Sequence, residues 1–207
     1  MADVQDIAYA NLRRAVSLLV NGTPVAFPTD TVYALAAPVN CVSCVQKVFD
    51  IKQRPITQPL PLLLGEVRDV DLVAYDVSDI ARQMMCDLWP GALTLVFRKK
   101  PFVSDIVTGG QPTVGVRIAN HPVAIDIVKW VDVPVIGTSA NLHGLISPLT
   151  AQEVQRQIGD KVDLIIDGGK TSGGVESTIL DMSTDKPHII RQGAVLRETL
   201  EKYCSIY

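Results

Sequence analysis

Short apolar runs alternate along this chain with longer stretches whose apolar residues recur at helical spacing. The short runs are rich in Val, Ile and Leu, which is typical of buried strands in α/β proteins. Helices and strands alternate in the earlier part of the sequence, whereas short strands cluster towards its end. The pattern predicts an α/β fold with a twisted, open, mixed sheet flanked by helices.

The predicted elements can be placed from these patterns alone. Helical spacing marks residues 8–19, 42–52, 80–88, 124–131 and 150–158, and more weakly 196–203. Strands are predicted at residues 25–27, 60–64, 93–97, 113–118, 133–136, 164–166, 178–180 and 188–190. Thr150 and Glu153 have the spacing of a capping box at a helix start. No repeat, linker or low-complexity tract interrupts the 207 residues, so we predict a single domain over residues 1–207.

The bulk composition excludes several classes of protein. Hydrophobic residues make up 47% of the chain and charged residues 20%, which supports a sizeable core and argues against disorder. A net charge of −3 argues against a surface devoted to nucleic acid, but it allows a local basic pocket. The sequence shows neither a signal peptide nor an apolar run of membrane-spanning length. We therefore expect a cytoplasmic protein without a membrane partner.

The four cysteines are unevenly spaced and do not have the pattern of a disulfide framework, which also favours a reducing compartment. Cys41 and Cys44 have the spacing of half a zinc site, but no second pair follows at a suitable distance. We interpret them as small residues at the start of a helix. Ser139 has no histidine and acid in a triad pattern, and the three histidines are expected at the surface.

One polar segment, residues 28–35, directly follows the predicted strand at residues 25–27. Pro28 lacks the N–H that a central strand uses, so we expect the strand to stop there. The two threonines, the carboxylate and the phenol that follow suit ligand contact better than a core. A turn in which Asp30 binds nearby backbone N–H groups explains this segment equally well by itself.

Further polar clusters lie at the ends of other apolar runs, at residues 52–54, 138–141, 176–178 and 191–193. In α/β folds, loops at strand ends converge and form ligand sites. The clusters contribute cations, hydroxyl groups and an amide, a mixture that predicts an anionic, phosphorylated ligand. The chain has neither a P-loop lysine motif nor a glycine-rich dinucleotide fingerprint, so a nucleotide would occupy another kind of site.

Taken together, the clusters resemble the YrdC/Sua5 family of threonylcarbamoyl-AMP synthases, in the short form that lacks the C-terminal Sua5 domain. The motifs that carry the resemblance are PTDTVY (28–33), KQRP (52–55), VR (116–117), SANL (139–142), SP (147–148), EST (176–178) and RQG (191–193). The resemblance implies a YrdC-like fold around a large basic cavity. It also implies a nucleotidyltransferase that converts L-threonine, bicarbonate or CO₂, and ATP into threonylcarbamoyl-AMP and pyrophosphate.

The resemblance also implies roles for individual residues. Catalysis would involve Lys52, Arg54 and Arg117. Threonine would be bound by Thr31, Tyr33, Arg117, Ser139 and Ser177. ATP would be bound by Lys52, Arg54, Gln58, Thr113, Asn141, Ser147 and Arg191. Mg²⁺ is expected with the nucleotide, held mostly by its phosphates, and no protein metal site is expected.

The implied pathway is the modification of tRNA at adenosine 37 to N6-threonylcarbamoyladenosine (t6A37). A separate tRNA threonylcarbamoyl-transferase complex would be a partner, and tRNA or another RNA a further one. The alternative is a non-catalytic YrdC-like protein that binds RNA or the ribosome, since a basic cavity can also hold RNA phosphates. A carbamoyl-transfer domain like that of hydrogenase maturation proteins is a weaker alternative, because such domains usually belong to longer chains with zinc modules.

Three residues depart from the family pattern. Ala34 stands where the family usually has glycine, and we expect a slightly different turn there because alanine restricts positive φ. Gln58 stands in place of a shorter asparagine. Leu63 stands where some members have a histidine that contacts threonine. These departures leave the amino-acid substrate less well defined than the class of reaction.

Overall fold

Eleven short strands pair into one mixed sheet in the computed structural model, which describes residues 1–207. The strands are β1 (Asp3–Asp6), β2 (Val25–Pro28), β3 (Tyr33–Pro38), β4 (Leu62–Leu63), β5 (Ala74–Tyr75), β6 (Leu93–Lys99), β7 (Thr113–Arg117), β8 (Val135–Ser139), β9 (Leu164–Asp167), β10 (Thr178–Asp181) and β11 (His188–Arg191). Their order is β1-β9-β2-β3-β8-β4-β7-β6-β10-β11, and β5 pairs with β6 outside this path.

Eight α-helices connect the strands. They are α1 (Tyr9–Val20), α2 (Val42–Lys52), α3 (Val70–Val73), α4 (Asp79–Leu88), α5 (Asp105–Thr108), α6 (Pro122–Val131), α7 (Ala151–Ile158) and α8 (Arg197–Leu200). A short 3₁₀ turn at Val67–Asp69 leads into α3. None of these helices combines the length and the apolar character needed to cross a membrane.

The sheet separates two apolar cores. The larger contains 38 buried residues and the smaller 18, the latter including the buried faces of α1 and α6. Neighbouring residues of one strand point to opposite sides. In β3, for example, Leu35 belongs to the larger core and Ala36 to the smaller. Burial on both faces explains why the central strands read as continuous apolar runs.

The central strands bring distant motifs together through their register. β2 and β3 form an antiparallel hairpin in which Pro28 pairs with Tyr33. β3 then pairs with β8, so that Ala34 lies opposite Ser139. β4 lies between β8 and β7, where Leu63 pairs with Arg117. The register therefore places Ser139 beside the β2–β3 hairpin and Arg117 beside Leu63, level with Val135 at the start of β8.

The predicted α/β class, mixed sheet and flanking helices are confirmed. The strand ends at Pro28 as predicted, at the hairpin end of β2. One detail of the segment after it was wrong. Residues from Tyr33 onward form β3 rather than a loop, so Ala34 has an extended backbone and no positive φ. The predicted change in the turn at Ala34 is therefore wrong, since a strand position needs no glycine.

The expectation for the cysteines also needs correction. Cys41 is the N-cap of α2 and Cys44 lies in its first turn, as predicted, but the structure joins them in a disulfide. Their Cα atoms are 5.2 Å apart, within the range that a disulfide can bridge. The bond is a local link within one helical turn and not part of a framework. Cys86 and Cys204 are free.

The start of α7 offers a test of the capping prediction. Thr150 and Glu153 form the predicted capping box, in which each side chain accepts a backbone N–H of the other residue. We expect Thr150→Ala to lower the free energy of unfolding by about 1 kcal/mol, measured by urea denaturation. Ser104→Ala is the matched control, because Ser104 is the N-cap of α5 but makes no capping hydrogen bond. Equal losses in both variants would contradict the assignment.

Candidate functional site

A cavity of about 320 Å³ opens where the β2–β3 loop, the ends of β7 and β8 and the segment before β10 meet. Four of its lining side chains are cations and one is a carboxylate, Glu176. The cations are Lys52, Arg54, Arg117 and Arg191. Hydroxyl groups come from Thr29, Thr31, Thr94, Thr138, Ser139, Ser147 and Ser177. An excess of positive charge beside many hydroxyls suits a ligand that carries several anionic oxygens.

The β2–β3 loop is closed by its own threonines. The Thr29 hydroxyl donates to the carbonyl of Val32 at 2.7 Å and accepts the backbone N–H of Thr31 at 3.2 Å. The two threonine hydroxyls lie 3.1 Å apart. Both side chains are buried in the wall of the cavity. This local network fixes the loop without help from a ligand.

Arg117 is held from three sides. Its Nε donates to the carbonyl of Gly91 at 2.7 Å, Nη1 to the Thr31 hydroxyl at 3.2 Å, and Nη2 to Asp30 Oδ1 at 2.5 Å. Asp30 also accepts the backbone N–H of Asn120. Burial lowers the pKa of the Arg117 guanidinium from its ordinary value, and Asp30 opposes that shift. A guanidinium has five N–H donors, so one donor on each terminal nitrogen remains for a ligand.

Asp30 therefore does not bind N–H groups within its own loop, as the turn interpretation proposed. It joins the β2–β3 loop to the strand end of β7 and to the following segment. The Arg117 and Asp30 side chains are only 8% and 15% exposed. Removing one partner of such a pair leaves the other charge buried and uncompensated, which costs about 3–5 kcal/mol.

Lys52, the last residue of α2, is almost completely buried. Its Nζ donates to the carbonyls of Ser139 and Asn141 and to Asn141 Oδ1. These three acceptors match the three N–H groups of an ammonium. Burial lowers the pKa of Lys52 from 10.5 to about 7, Arg54 adds to the shift, and Glu176 opposes it. Lys52 thus gives the cavity a positive charge while its own hydrogen bonds stay within the protein.

Asn141 shapes the same wall. Its amide donates to the carbonyls of Leu142 and Leu145, and its oxygen accepts from Lys52.

Arg54 makes one hydrogen bond, from Nη2 to the carbonyl of Pro59, while its Nε is buried without a partner. Because a buried N–H without an acceptor is costly, this group is suited to a ligand oxygen.

On the opposite wall, Glu176 connects two predicted nucleotide-binding residues. The Ser147 hydroxyl donates to Glu176 Oε1 at 2.8 Å, and Arg191 Nη1 donates to Oε2. Arg191 also binds the carbonyl of Ser177 through Nε and Nη2, and the Ser177 hydroxyl lies 2.9 Å from that of Thr94. A Cβ at Gly193 would lie 2.3 Å from the carbonyl oxygen of Glu176, so only glycine fits at this close approach.

Leu63 forms an apolar patch in the cavity. It packs directly over Gly137, where a Cβ would lie 2.5 Å from Leu63 Cγ. Both residues line the cavity, and Leu63 is 5% exposed. The position at which some family members carry a histidine therefore offers this chain's ligand a methyl surface and no hydrogen bond.

The structure brings most of the predicted site residues together. Those that line the cavity are Thr31, Lys52, Arg54, Arg117, Ser139, Asn141, Ser147, Ser177 and Arg191. Tyr33 does not line it: the ring is fully buried and its hydroxyl donates to the carbonyl of Gly169. Tyr33 alternates with Ala34 along β3 and points into the larger core, so its contact with threonine stays a prediction that the cavity lining does not support.

Two predicted nucleotide contacts also lie outside the lining. Gln58 is at the rim, where its amide is 3.4 Å from Nε2 of His143, a residue that does line the cavity. Thr113 is at the opposite end of β7 from Arg117, paired with Arg98. Because Thr113 was assigned to ATP and Arg117 to threonine, the two ends of β7 need not touch the same ligand, and the contact of Thr113 stays a prediction.

Sequence reasoning assigned no role to three lining residues, Thr94, Thr138 and Glu176. Thr94 is a single hydroxyl inside an apolar strand, and this interruption of the pattern was the available signal, whereas Thr138 belonged to the polar cluster at residues 138–141. Glu176 was visible in a motif, but its partners come from residues 147 and 191.

His121 was expected at the surface; instead it is the N-cap of α6. Its Nδ1 accepts the N–H of Val123, and burial lowers the pKa of its ring.

Known proteins match this chain along most of its length. A family model for Sua5, YciO and YrdC proteins, described as "Telomere recombination", matches residues 17–193. The threonylcarbamoyl-AMP synthase of Pyrococcus abyssi is 36% identical over 191 residues, covering 92% of this chain and 56% of that protein. The human protein of the same name is 35% identical over 195 residues, covering 91% of this chain and 69% of that protein.

Solved structures agree with these matches. The structure of P. abyssi Sua5 complexed with L-threonine has a TM-score of 0.94 and 33% sequence identity, and the match covers 100% of this chain and 62% of that one. The chain thus spans little more than half the length of the P. abyssi relative. With the family model matched over residues 17–193 and the fold matched throughout, this chain belongs to the Sua5/YciO/YrdC family.

Proposed function

We propose that this chain is an L-threonylcarbamoyladenylate synthase, a nucleotidyltransferase that forms threonylcarbamoyl-AMP and pyrophosphate from L-threonine, bicarbonate or CO₂, and ATP. Relatives named threonylcarbamoyl-AMP synthase and the threonine complex of P. abyssi Sua5 support this proposal. The product would serve t6A37 modification in the cytoplasm, where a separate transferase complex would load the group onto tRNA.

The observation that carries the proposal is the fixed guanidinium of Arg117. Its two remaining N–H donors lie on the two terminal nitrogens, an arrangement that suits a carboxylate. The hydroxyls of Thr31, Ser139 and Ser177 line the same cavity and would orient the rest of the amino acid. Leu63 would face its methyl group. The amino-acid end of the site therefore fits a small hydroxyl-bearing substrate.

The nucleotide would extend from there towards the remaining cations. Arg54 Nε has no protein acceptor, and Arg191 is 41% exposed, so both can bind phosphate oxygens. Ser147 would add a hydroxyl. Lys52 would act through its charge, because its three donors are used within the protein, and Asn141 would act by fixing the wall.

This arrangement can carry the reaction without a protein nucleophile. The neutral amine of threonine attacks CO₂, losing a proton and giving a carbamate. A carbamate oxygen then attacks the α-phosphorus of ATP, and the bond to pyrophosphate breaks. The protein's task is to align the two reactants and to stabilise the growing negative charge on the phosphates. The four cations of the wall suit that task.

A divalent cation would accompany the triphosphate rather than reside in the protein. The lining holds four cations against a single carboxylate, and Glu176 is already paired with Arg191. No group of three or more His, Cys, Asp or Glu side chains could hold a metal ion. These residues do not fit a resident Mg²⁺ site, and we propose that the phosphates supply its ligands.

The direct test is pyrophosphate release from purified protein with ATP, Mg²⁺ and bicarbonate. We expect release only when L-threonine is also present, and threonylcarbamoyl-AMP should appear in equal amount by mass spectrometry. Release without threonine, or none at all, would refute the proposal. Tight RNA binding without such turnover would instead support the alternative of a non-catalytic RNA-binding protein.

Arg117→Lys tests the carboxylate contact. Lysine keeps a positive charge beside Asp30, but it lacks the planar fork that binds a carboxylate through two N–H groups. We expect the KM for threonine to rise about tenfold or more, with little change in ATP affinity. The control is Arg82→Lys, because Arg82 also uses two N–H groups on one carboxylate, Asp71, but at the surface. An unchanged KM would show that Arg117 does not bind the substrate.

The lowered pKa of Lys52 predicts how nucleotide affinity depends on pH. With a pKa of about 7, the side chain is charged at about pH 6 and mostly neutral at about pH 8.5. We expect Lys52→Met to weaken ATP binding strongly at about pH 6, with the difference from the natural protein shrinking as the pH rises. Calorimetry without threonine measures this difference. Lys129→Met, a half-exposed lysine outside the cavity, should have no effect.

A further inference from the structure

We infer that Glu176 competes with the phosphate groups of the ligand for Ser147 and Arg191. Its carboxylate binds both residues in the free protein and binds them again as pyrophosphate leaves. The inference rests on the proposed function for the identity of its ligand. It assigns a role to the single carboxylate of the cavity, a residue that neither the reaction nor substrate binding has used.

The contacts of Glu176 are those that a phosphate would make. Its Oε1 accepts the Ser147 hydroxyl at 2.8 Å, and its Oε2 accepts Arg191 Nη1. A carboxylate and a phosphate both present adjacent anionic oxygens to such donors. The hydroxyl proton of Ser147 cannot serve both acceptors, since Ser has only one O–H donor. Phosphate binding at Ser147 therefore requires Glu176 to release the Ser147 hydroxyl.

The charges explain why a competitor is useful. Glu176 faces four cations across the cavity, while His143 is the remaining titratable side chain of the lining. Pyrophosphate carries several negative charges and would be held strongly by Arg54 and Arg191 together with the charge of Lys52. An anion that can return to Arg191 lowers the net attraction at the moment of release.

The surroundings of Glu176 allow this exchange. The side chains of Glu176 and Arg191 are 37% and 41% exposed, unlike those of the buried Asp30 and Arg117 pair. An exposed ion pair exchanges at little cost. The backbone of Glu176 stays fixed because its carbonyl accepts the N–H of Ala194 and Gly193 packs against it. The carboxylate can therefore swing away while the strand ends keep their positions.

If Glu176 instead positions its partners, the loss of its charge should change phosphate affinity in the opposite direction. If Glu176 only held Ser147 and Arg191 in place for the nucleotide, removing its charge would weaken phosphate binding. If it competes, removing the charge strengthens binding. Glu176→Gln separates the two cases, because glutamine keeps the shape of the side chain and can still accept a hydrogen bond, but lacks the charge.

The experiment is calorimetric titration of inorganic pyrophosphate into the protein at about pH 6, without threonine. At that pH Lys52 is mostly charged, and the loss of the Glu176 charge, which helps to keep Lys52 protonated, would weaken pyrophosphate binding, so it cannot produce the expected gain. We expect Glu176→Gln to bind pyrophosphate about tenfold more tightly. Stronger inhibition by added pyrophosphate and a lower kcat at unchanged KM for threonine should accompany it.

Glu201→Gln is the matched control. Glu201 also pairs with an arginine, Arg197, and both side chains are about as exposed as those of the Glu176 pair, but the pair lies outside the cavity. Its pyrophosphate affinity should equal that of the natural protein. Thermal unfolding monitors the fold. If the glutamine variant does not fold, Glu176→Asp replaces it, because aspartate keeps the charge but reaches less far towards both partners. The aspartate variant should also bind pyrophosphate more tightly.

Unchanged or weaker pyrophosphate binding in the folded variant, with or without Mg²⁺, would overturn the inference. The result is independent of the synthase proposal, because it needs no turnover. If the natural protein shows threonine-dependent pyrophosphate release and the variant binds no tighter, only the role of Glu176 fails. If the variant binds tighter and the natural protein releases no pyrophosphate, the competitor stands and the proposed reaction fails.

Discussion

The buried ion pair between Asp30 and Arg117 is the contact on which the site depends. It connects the β2–β3 loop, which its own threonines and the N–H of Gly174 also hold, to the end of β7 and to the backbone of Asn120. Two charges at such a depth are tolerated only because each compensates the other and hydrogen bonds satisfy the rest. The pair therefore fixes the direction of the guanidinium before any ligand arrives. Preorganisation of this kind lowers the cost of binding.

The cations of the cavity fall into two groups by what they already bind. Lys52 and Arg117 have most of their donors committed to carbonyls and to Asp30, and they shape the wall and its potential. Arg54 and Arg191 have either an unpaired N–H or a partly exposed partner. The cavity therefore has a strong positive potential although only two of its four cationic side chains, Arg54 and Arg191, must reorganise around a ligand.

The sequence was most informative where a residue's role depends on its neighbours along the chain. Helical spacing predicted α1, α2, α4, α6 and α7, and the pair Thr150 and Glu153 predicted a cap that is present. The prediction of β3 failed because all six residues from Tyr33 to Pro38 are buried. A strand buried on both faces lacks the alternation of polar and apolar residues that marks an amphipathic strand. The strands β1 and β5 are too short or too polar to stand out.

For the cavity, sequence motifs identified most of the wall but not the direction of its side chains. Tyr33 and Thr31 are two residues apart, yet the hydroxyl of one binds Gly169 and that of the other binds Arg117. Thr31 lies in the β2–β3 loop and Tyr33 begins β3, so the turn between them decides which side chain faces the cavity. The partners of Glu176 could not be predicted for a similar reason, since residues 147 and 191 meet it through three separate elements.

The order of strands in the sheet has a consequence for how the chain is made. β1 and β2 both pair with β9, and β3 pairs with β8, so the first strands of the chain find their neighbours among residues synthesised much later. Loop-closure entropy makes such pairings slow to form. On the ribosome, the β3 edge of the amino-terminal hairpin stays exposed until β8 has been made, and the β2 edge until translation has passed Asp167 at the end of β9.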